Sequence, residues 1–214
     1  MRQRNIKNLD ERLAANSAFL IDDPRACRGR WAEIFGNDNP IMLEIGCGKG
    51  KFIISRASAN PDINYIAAEG QSSVVLRAME KAQEGQLANL RIFIDFIHDL
   101  RDYFEEGELS GLYLNFSDPW PKARHAKRRL TYHKNLENYR KVMKPDAVIE
   151  FKTDNEGLFE FSLEEIAAAG YDIIEMTRDL HSPENEKLYE SARYTTEYED
   201  KFSAAGKNIN YVKF

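Results

Sequence analysis

Three clusters of small and polar residues stand at spacings that could do chemistry, and the first is Leu43-Glu44-Ile45-Gly46-Cys47-Gly48-Lys49-Gly50-Lys51-Phe52. Gly46, Gly48 and Gly50 fall at a strand-to-helix turn, where only glycine cheaply permits the backbone angles and the close approach of a ligand to main-chain N–H groups. A cofactor site follows. The spacing is G-x-G-x-G, and the third glycine of a dinucleotide fingerprint would fall at Lys51. Glu44 would face a pyrophosphate at close range, an electrostatic mismatch, whereas it suits a ligand carrying an ammonium and a sulfonium. S-adenosylmethionine is such a ligand. Glu69, in Ala67-Ala68-Glu69-Gly70 at the end of a second strand, can accept hydrogen bonds from both ribose hydroxyls of an adenosine, and Asp95, at the end of a third, can face its adenine.

The second cluster is Asn115-Phe116-Ser117-Asp118-Pro119-Trp120-Pro121-Lys122 at the end of a fourth strand. Ligands of parallel sheets bind at the carboxyl ends of the strands, so this loop should border the methyl donor. Asp118-Pro119-Trp120 resembles the Asp-Pro-Pro-Tyr loop of nucleic-acid amino-methyltransferases, in which a polar group holds the target base and an aromatic ring stacks on it. The bland alternative for Asp118 is turn initiation before proline. Lys122-Ala123-Arg124-His125-Ala126-Lys127-Arg128-Arg129 follows directly, and no acid occurs from Pro119 through Leu136. Beside the expected active site, this run should grip phosphates.

The third comprises Phe151-Lys152-Thr153-Asp154-Asn155 and, near the C-terminus, Thr195-Thr196-Glu197-Tyr198-Glu199-Asp200-Lys201-Phe202. By pattern these supply hydrogen-bonding groups, with a helix cap for Asp154 and a charged helix face for Glu197 to Lys201 as even alternatives.

Apolar runs bounded by turn residues must position these groups. Ile41 to Ile45, Ile63 to Ala68, Leu90 to Ile94, Leu112 to Phe116 and Ala147 to Phe151 read as buried strands. Phe52 to Ser58, Ser72 to Gln83, Thr131 to Met143 and Glu156 to Ala169 read as helices, with Asn155 as an N-cap and Gly170 as a C-cap. Alternation of strand and helix means an α/β fold with a mostly parallel, doubly wound sheet, to which Tyr171 to Met176 and Ile209 to Phe214 add an antiparallel end. The segment from Met1 to about Phe35, with Arg2, Arg4 and Lys7 before the first acid, reads as a partly basic mobile arm and then a helix.

The 214 residues, 43% hydrophobic and 30% charged, fit one packed domain over 1–214. A net charge of -5 excludes a general polyanion binder, so any nucleic-acid site must be a local patch. No run approaches the roughly 18 apolar residues of a membrane helix. Cys27 and Cys47 lack metal-ligand spacing, so no metal is expected and a reducing cytoplasm fits.

In these residues the chain resembles the bacterial tRNA (guanine-N7)-methyltransferases: Glu-Ile-Gly-Cys-Gly-Lys-Gly-Lys-Phe at 44–52, Asn-Phe-Ser-Asp-Pro-Trp-Pro-Lys at 115–122 with Arg-His-Ala-Lys-Arg-Arg-Leu after it, Phe-Lys-Thr-Asp-Asn at 151–155 and Thr-Glu-Tyr-Glu-Asp-Lys-Phe at 196–202. The resemblance implies a Rossmann-like, S-adenosylmethionine-dependent methyltransferase fold and a guanosine of the tRNA variable loop as substrate. It implies cofactor contacts from Glu44, Glu69, the acid after strand three and Asp118, with Asp118 as the catalytic residue. It further implies substrate contacts from Lys122, Asp154 and Thr196 to Glu199; RNA contacts are expected of Arg124, His125, Lys127, Arg128 and Arg129 from the acid-free basic run itself. Phe96 stands where the family tends to have a small residue, so the acid that contacts the adenine could be shifted from Asp95 by one position. Ala123 replaces a common second lysine. A monomer or a homodimer fits equally well. The rival readings are a methyltransferase for another nitrogen or a small molecule, a nucleic-acid-binding protein with a vestigial cofactor fold, and an NAD oxidoreductase; the intact glycines and acids oppose the last two.

Overall fold

The computed structural model describes residues 6–214, so Arg2 and Arg4 of the basic arm lie outside the described residues. Its seven strands are β1 (Ile41–Ile45), β2 (Asn64–Ala68), β3 (Leu90–Phe93), β4 (Leu109–Asn115), β5 (Met143–Thr153), β6 (Glu175–Thr177) and β7 (Asn210–Lys213). They form one sheet in the order β3-β2-β1-β4-β5-β7-β6. The first five pair in parallel, and β7 runs antiparallel to both β5 and β6. The order reverses between β1 and β4. There the chain leaves the sheet in opposite directions and opens a crevice at the carboxyl ends of the strands.

Side-chain alternation builds a core on each face. Leu43, Ile45, Ile66, Ala68, Leu112 and Leu114 pack on one side, and Met42, Tyr65, Ala67 and Tyr113 on the other. The second face is covered by α3 (Lys51–Ala59) and α4 (Ser72–Gly85), and the first by α5 (His133–Arg140) and α6 (Glu156–Ala168), through residues such as Phe52, Val75, Leu136 and Phe159. β1 and β2 are buried along their whole length, as strands covered on both faces must be. Asn155 caps α6 by accepting the Leu158 N–H at 2.8 Å, and Gly170, at φ +69°, takes the left-handed position just past the end of that helix.

The expected mobile arm is largely part of the fold. α1 (Leu9–Ala15) docks beside α4, and α2 (Trp31–Phe35) buries Trp31 completely. The indole stacks on Phe104 with ring centroids 5.5 Å apart and donates to the Tyr103 carbonyl at 2.9 Å. A large aromatic beside a buried acceptor repays the ordering of this segment, which the polar residues around it concealed. β3 stops at Phe93, before Asp95, and the strand expected from Tyr171 is confined to Glu175–Thr177. The remaining helices, α7 (Asn185–Leu188) and α8 (Glu197–Ser203), lie in the polar stretch between β6 and β7.

Candidate active site

A cleft of about 340 Å³ occupies the crevice between the ends of β1 and β4, and its walls include Gly46, Glu69, Asp95, Phe96, Asp118 and Trp120. Gly46, Gly48 and Gly50 all have positive φ, at +78°, +59° and +81°. At Gly50 a Cβ would also come within 2.6 Å of the Ala78 Cβ, so the turn admits no side chain there. Glu69 braces the loop: one carboxylate oxygen accepts the Gly48 N–H at 3.0 Å and the other the Gln71 N–H at 3.1 Å. Asp95 lines the same cleft and accepts the Tyr103 hydroxyl at 2.6 Å.

Glu44 lies beneath the loop and is 1% exposed. Its Oε1 accepts the Asn115 amide at 2.8 Å, while Oε2 is buried with no hydrogen-bond partner among the described residues. Burial pushes its pKa up to about 8, opposed by the Asn115 hydrogen bond and the Lys152 charge and assisted by Glu197 and Glu69. Glu69 and Glu197 therefore add negative potential around the glycine loop, and the buried Glu44 carboxyl is left with unspent capacity to pair. A cationic ligand answers both.

The loop after β4 is held in an uncommon conformation. Phe116 and Trp120 have φ of +52° and +41°, and a bulky side chain there costs about 1–3 kcal/mol. The neighbourhood fixes it. The Phe116 N–H donates to the Lys152 carbonyl at 2.9 Å, and Arg129 donates to the Pro119 and Trp120 carbonyls at 3.0 Å each while lying over Phe161. Arg128 stands over the Trp120 ring at 4.8 Å, and His125 meets it edge-on. Asp118 is exposed on the cleft wall between these braces.

Lys122 and the 3₁₀ turn Ala123–Arg128 form an exposed rim, with Arg124, Lys127 and Arg128 outermost and His125 half-buried. Arg129 departs from the expected phosphate grip, because its guanidinium is turned inward onto the Trp120 loop. Asp154 accepts from Lys207 at 2.9 Å, and Tyr198 lies against Phe116 with its hydroxyl pushed up by burial and by the Asp154 charge.

The C-terminal motif divides. Thr196 caps α8 and forms a capping box with Glu199. Glu199 and Lys152 are both fully buried: Lys152 Nζ lies 3.3 Å from Glu199 and donates to the Ser191 and Tyr194 carbonyls at 2.7 Å, and His181 Nε2 is 2.8 Å from Glu199. Burial lowers the Lys152 pKa and the Glu199 charge opposes it. Glu197 pairs with Lys81, which also donates to the Lys49 carbonyl of the glycine loop at 3.0 Å. Lys51 bonds Asp200 and, at 2.7 Å, Thr195. α8 is thus tied to the cofactor-side turn while it presents Tyr198 toward Asp154.

The structure brings Gly46, Glu69, Asp95 and Asp118 onto one cleft and sets Glu44, Gly48 and Gly50 behind it. Lys122 and the basic rim follow the loop in an exposed turn, Tyr198 packs on Phe116 at its start, and Glu199 lies inside the protein. Sequence reasoning missed Lys152, Lys81, Asn115 and the inward role of Arg129. Lys152 and Asn115 stood within the singled-out motifs, but their buried partners are distant in the chain.

A family model described as "Putative methyltransferase" matches residues 38–212. The tRNA (guanine-N(7)-)-methyltransferase of Lactococcus lactis subsp. cremoris (strain MG1363) is 47% identical over 98% of this chain and 95% of the relative. The enzymes of the same name from Geobacillus sp. (strain WCH70) and Streptococcus suis (strain 05ZYH33) are 48% and 45% identical over 98% and 100% of this chain, and over 93% and 98% of theirs. Among solved structures, an antibiotic related methyltransferase superposes with a TM-score of 0.62 at 16% identity over 87% of this chain and 92% of that one. A SAM dependent methyltransferase from Aquifex aeolicus gives 0.54 at 15% over 97% and 98%. These two likenesses show the Rossmann-like methyltransferase fold.

Proposed function

The chain belongs to the bacterial tRNA (guanine-N7)-methyltransferase family, and from that premise we propose that it methylates N7 of a guanine in tRNA, the variable-loop guanosine, using S-adenosylmethionine. The observation that carries this reading is a single cleft with acids at one end and, at the other, a braced tryptophan loop that runs into a basic rim.

The residues present fit the cofactor. The unpartnered Glu44 Oε2 and the acids around the glycine loop suit its ammonium and sulfonium, and the glycines let main-chain N–H groups approach its carboxylate. Glu69 is oriented by two N–H donors and keeps lone pairs for ribose hydroxyls. When bound, S-adenosylmethionine supplies a methyl group made electrophilic by its sulfonium.

Guanine N7 carries an in-plane lone pair, so the chain needs no general base, and among the described residues no His or Cys lines the cleft. Trp120, held by Arg129 and backed by Arg128, offers a flat surface for the base. The Asp118 carboxylate accepts the N1–H and amino hydrogens of the guanine. Positive charge grows on the purine as N7 is alkylated, so that acceptor is worth more in the transition state than before it. Lys122, Arg124, His125, Lys127 and Arg128 hold the phosphates that deliver the base, and Asp154 with Tyr198 closes the far side. Glu199 and Thr196 act by setting α8. Alignment of N7 with the methyl group supplies the rest of the rate.

Calorimetry with S-adenosylhomocysteine and with NADH tests the cofactor half, because only the former should bind. Mapping the methylated position in tRNA tests the other half: modification outside the variable loop contradicts the assigned nucleotide.

A further inference from the structure

Beside the cofactor cleft lies a second cleft, of about 590 Å³, that shares Phe96, Trp120 and Arg128 with it and adds His98, Lys127 and Asn135. The two differ in charge. Glu69, Asp95 and Asp118 line the first, whereas among the described residues no acid lines the second, which carries Lys127, Arg128 and His98. A cationic nucleoside is drawn to one and a phosphate-bearing ligand to the other.

Phe96 stands on the wall between them and its ring is 63% exposed. One side of the ring rests on Gly70: a Cβ there would stand 2.3 Å from it. The exposed ring is therefore backed by main chain. Aromatic rings interleaved with cations, in a groove without acids, are how proteins hold unpaired nucleotides, because every base has a face to stack and every phosphate a charge to meet.

We propose that this second cleft binds the nucleotide next to the methylated guanosine in the same tRNA, with its base stacked on Phe96 and its phosphate held by Lys127 and Arg128. The occupant follows from continuity, since the cleft opens from the Trp120 loop on which the guanine is placed, and from charge. The proposal rests on the reading of the chain as a tRNA guanine methyltransferase. It adds a binding position beyond the glycine turn and the Asp118 carboxylate.

The test is a double-mutant cycle between protein and RNA. The Phe96→Ala variant, the Phe96→Trp variant and the wild-type protein are titrated with synthetic tRNA that is intact or abasic at the nucleotide on either side of the target guanosine. Phe96→Ala should weaken intact tRNA on the order of tenfold, Phe96→Trp should keep wild-type tRNA affinity, and any change for S-adenosylhomocysteine, whose cleft Phe96 also borders, should be far smaller than the loss for tRNA. One abasic position should cost the wild-type protein a similar factor and cost Phe96→Ala almost nothing. Full abasic penalties at both positions in the alanine variant overturn the proposal. So does a loss of S-adenosylhomocysteine affinity as large as the loss for tRNA, which would assign the ring to the cofactor's adenine. The wild-type product is analysed in parallel: a nucleoside other than 7-methylguanosine overturns the underlying reading, whereas an unchanged tRNA affinity in Phe96→Ala overturns the stacking alone.

Discussion

At the scale of single residues, the acids divide by what surrounds them. Asp118 is exposed and its charge is free to act on a substrate. Asp118→Asn keeps the shape and removes the charge, so single-turnover methylation should fall roughly a hundredfold while the melting temperature stays put; a near-wild-type rate removes Asp118 from the chemistry. Glu44 is the opposite case. Its pKa in the folded protein is raised from 4.5 to about 8 by burial, so the unfolded chain gives up its proton first. This group favours folding below about pH 4.5 and loses that contribution as the pH climbs through 8. Glu44→Gln should therefore raise the melting temperature of the ligand-free protein at pH 8 relative to pH 5, and weaken cofactor binding. A cationic cofactor draws the carboxylate into its ionised form, so binding at pH 7 should release protons; calorimetry in two buffers of different ionisation enthalpy measures this, and Glu44→Gln should abolish it. These acids were legible in the sequence because parallel strands deliver their last residues to one edge. The burial of Glu199 was not, because its partners Lys152 and His181 are distant in the chain and no local pattern records them.

At the scale of elements, the loop after β4 and helix α8 show where pattern reading stops. A run of cations looks uniform in sequence, yet backbone direction turns Arg129 inward to two carbonyls and leaves Arg128 on the rim. Arg128→Ala should flatten the dependence of log tRNA affinity on log salt by about 0.7 to 0.9 if one phosphate contact is lost. Arg129→Ala should leave that slope nearly intact and lower turnover, because the left-handed Trp120 loses the brace that holds it. Titrations at several salt concentrations separate the two, and equal slope changes contradict the division. The clasp between β5 and α8 is a stability feature. Lys152→Met leaves the buried Glu199 without its cation and should cost about 3–5 kcal/mol in urea unfolding, with Lys152→Met/Glu199→Leu recovering much of it. A loss under 1 kcal/mol in the single variant would mean that His181 alone compensates Glu199. Strand and helix order were readable from apolar period, since β1 and β2 are buried on both faces. The short β6 and the buried Trp31 were not, because each depends on a partner supplied elsewhere in the fold.

At the scale of the molecule, a protein of net charge -5 is assigned to a polyanion. The charges are separated locally: Glu69, Asp95 and Asp118 line one cleft, Lys127 and His98 line its neighbour, and Arg128 stands between, so the field offered to a polyanion is local. The sheet spans both ends of this arrangement, with one half carrying the glycine turn and the other the Asp118 loop. The central claim is that the two halves act on one reaction, and the most direct measurement is incubation of undermethylated tRNA with S-adenosylmethionine labelled in its methyl group, followed by digestion to nucleosides. Label is expected in 7-methylguanosine and should be lost with Asp118→Asn; label in any other nucleoside, or none in tRNA from a protein that binds S-adenosylhomocysteine, would overturn the assignment.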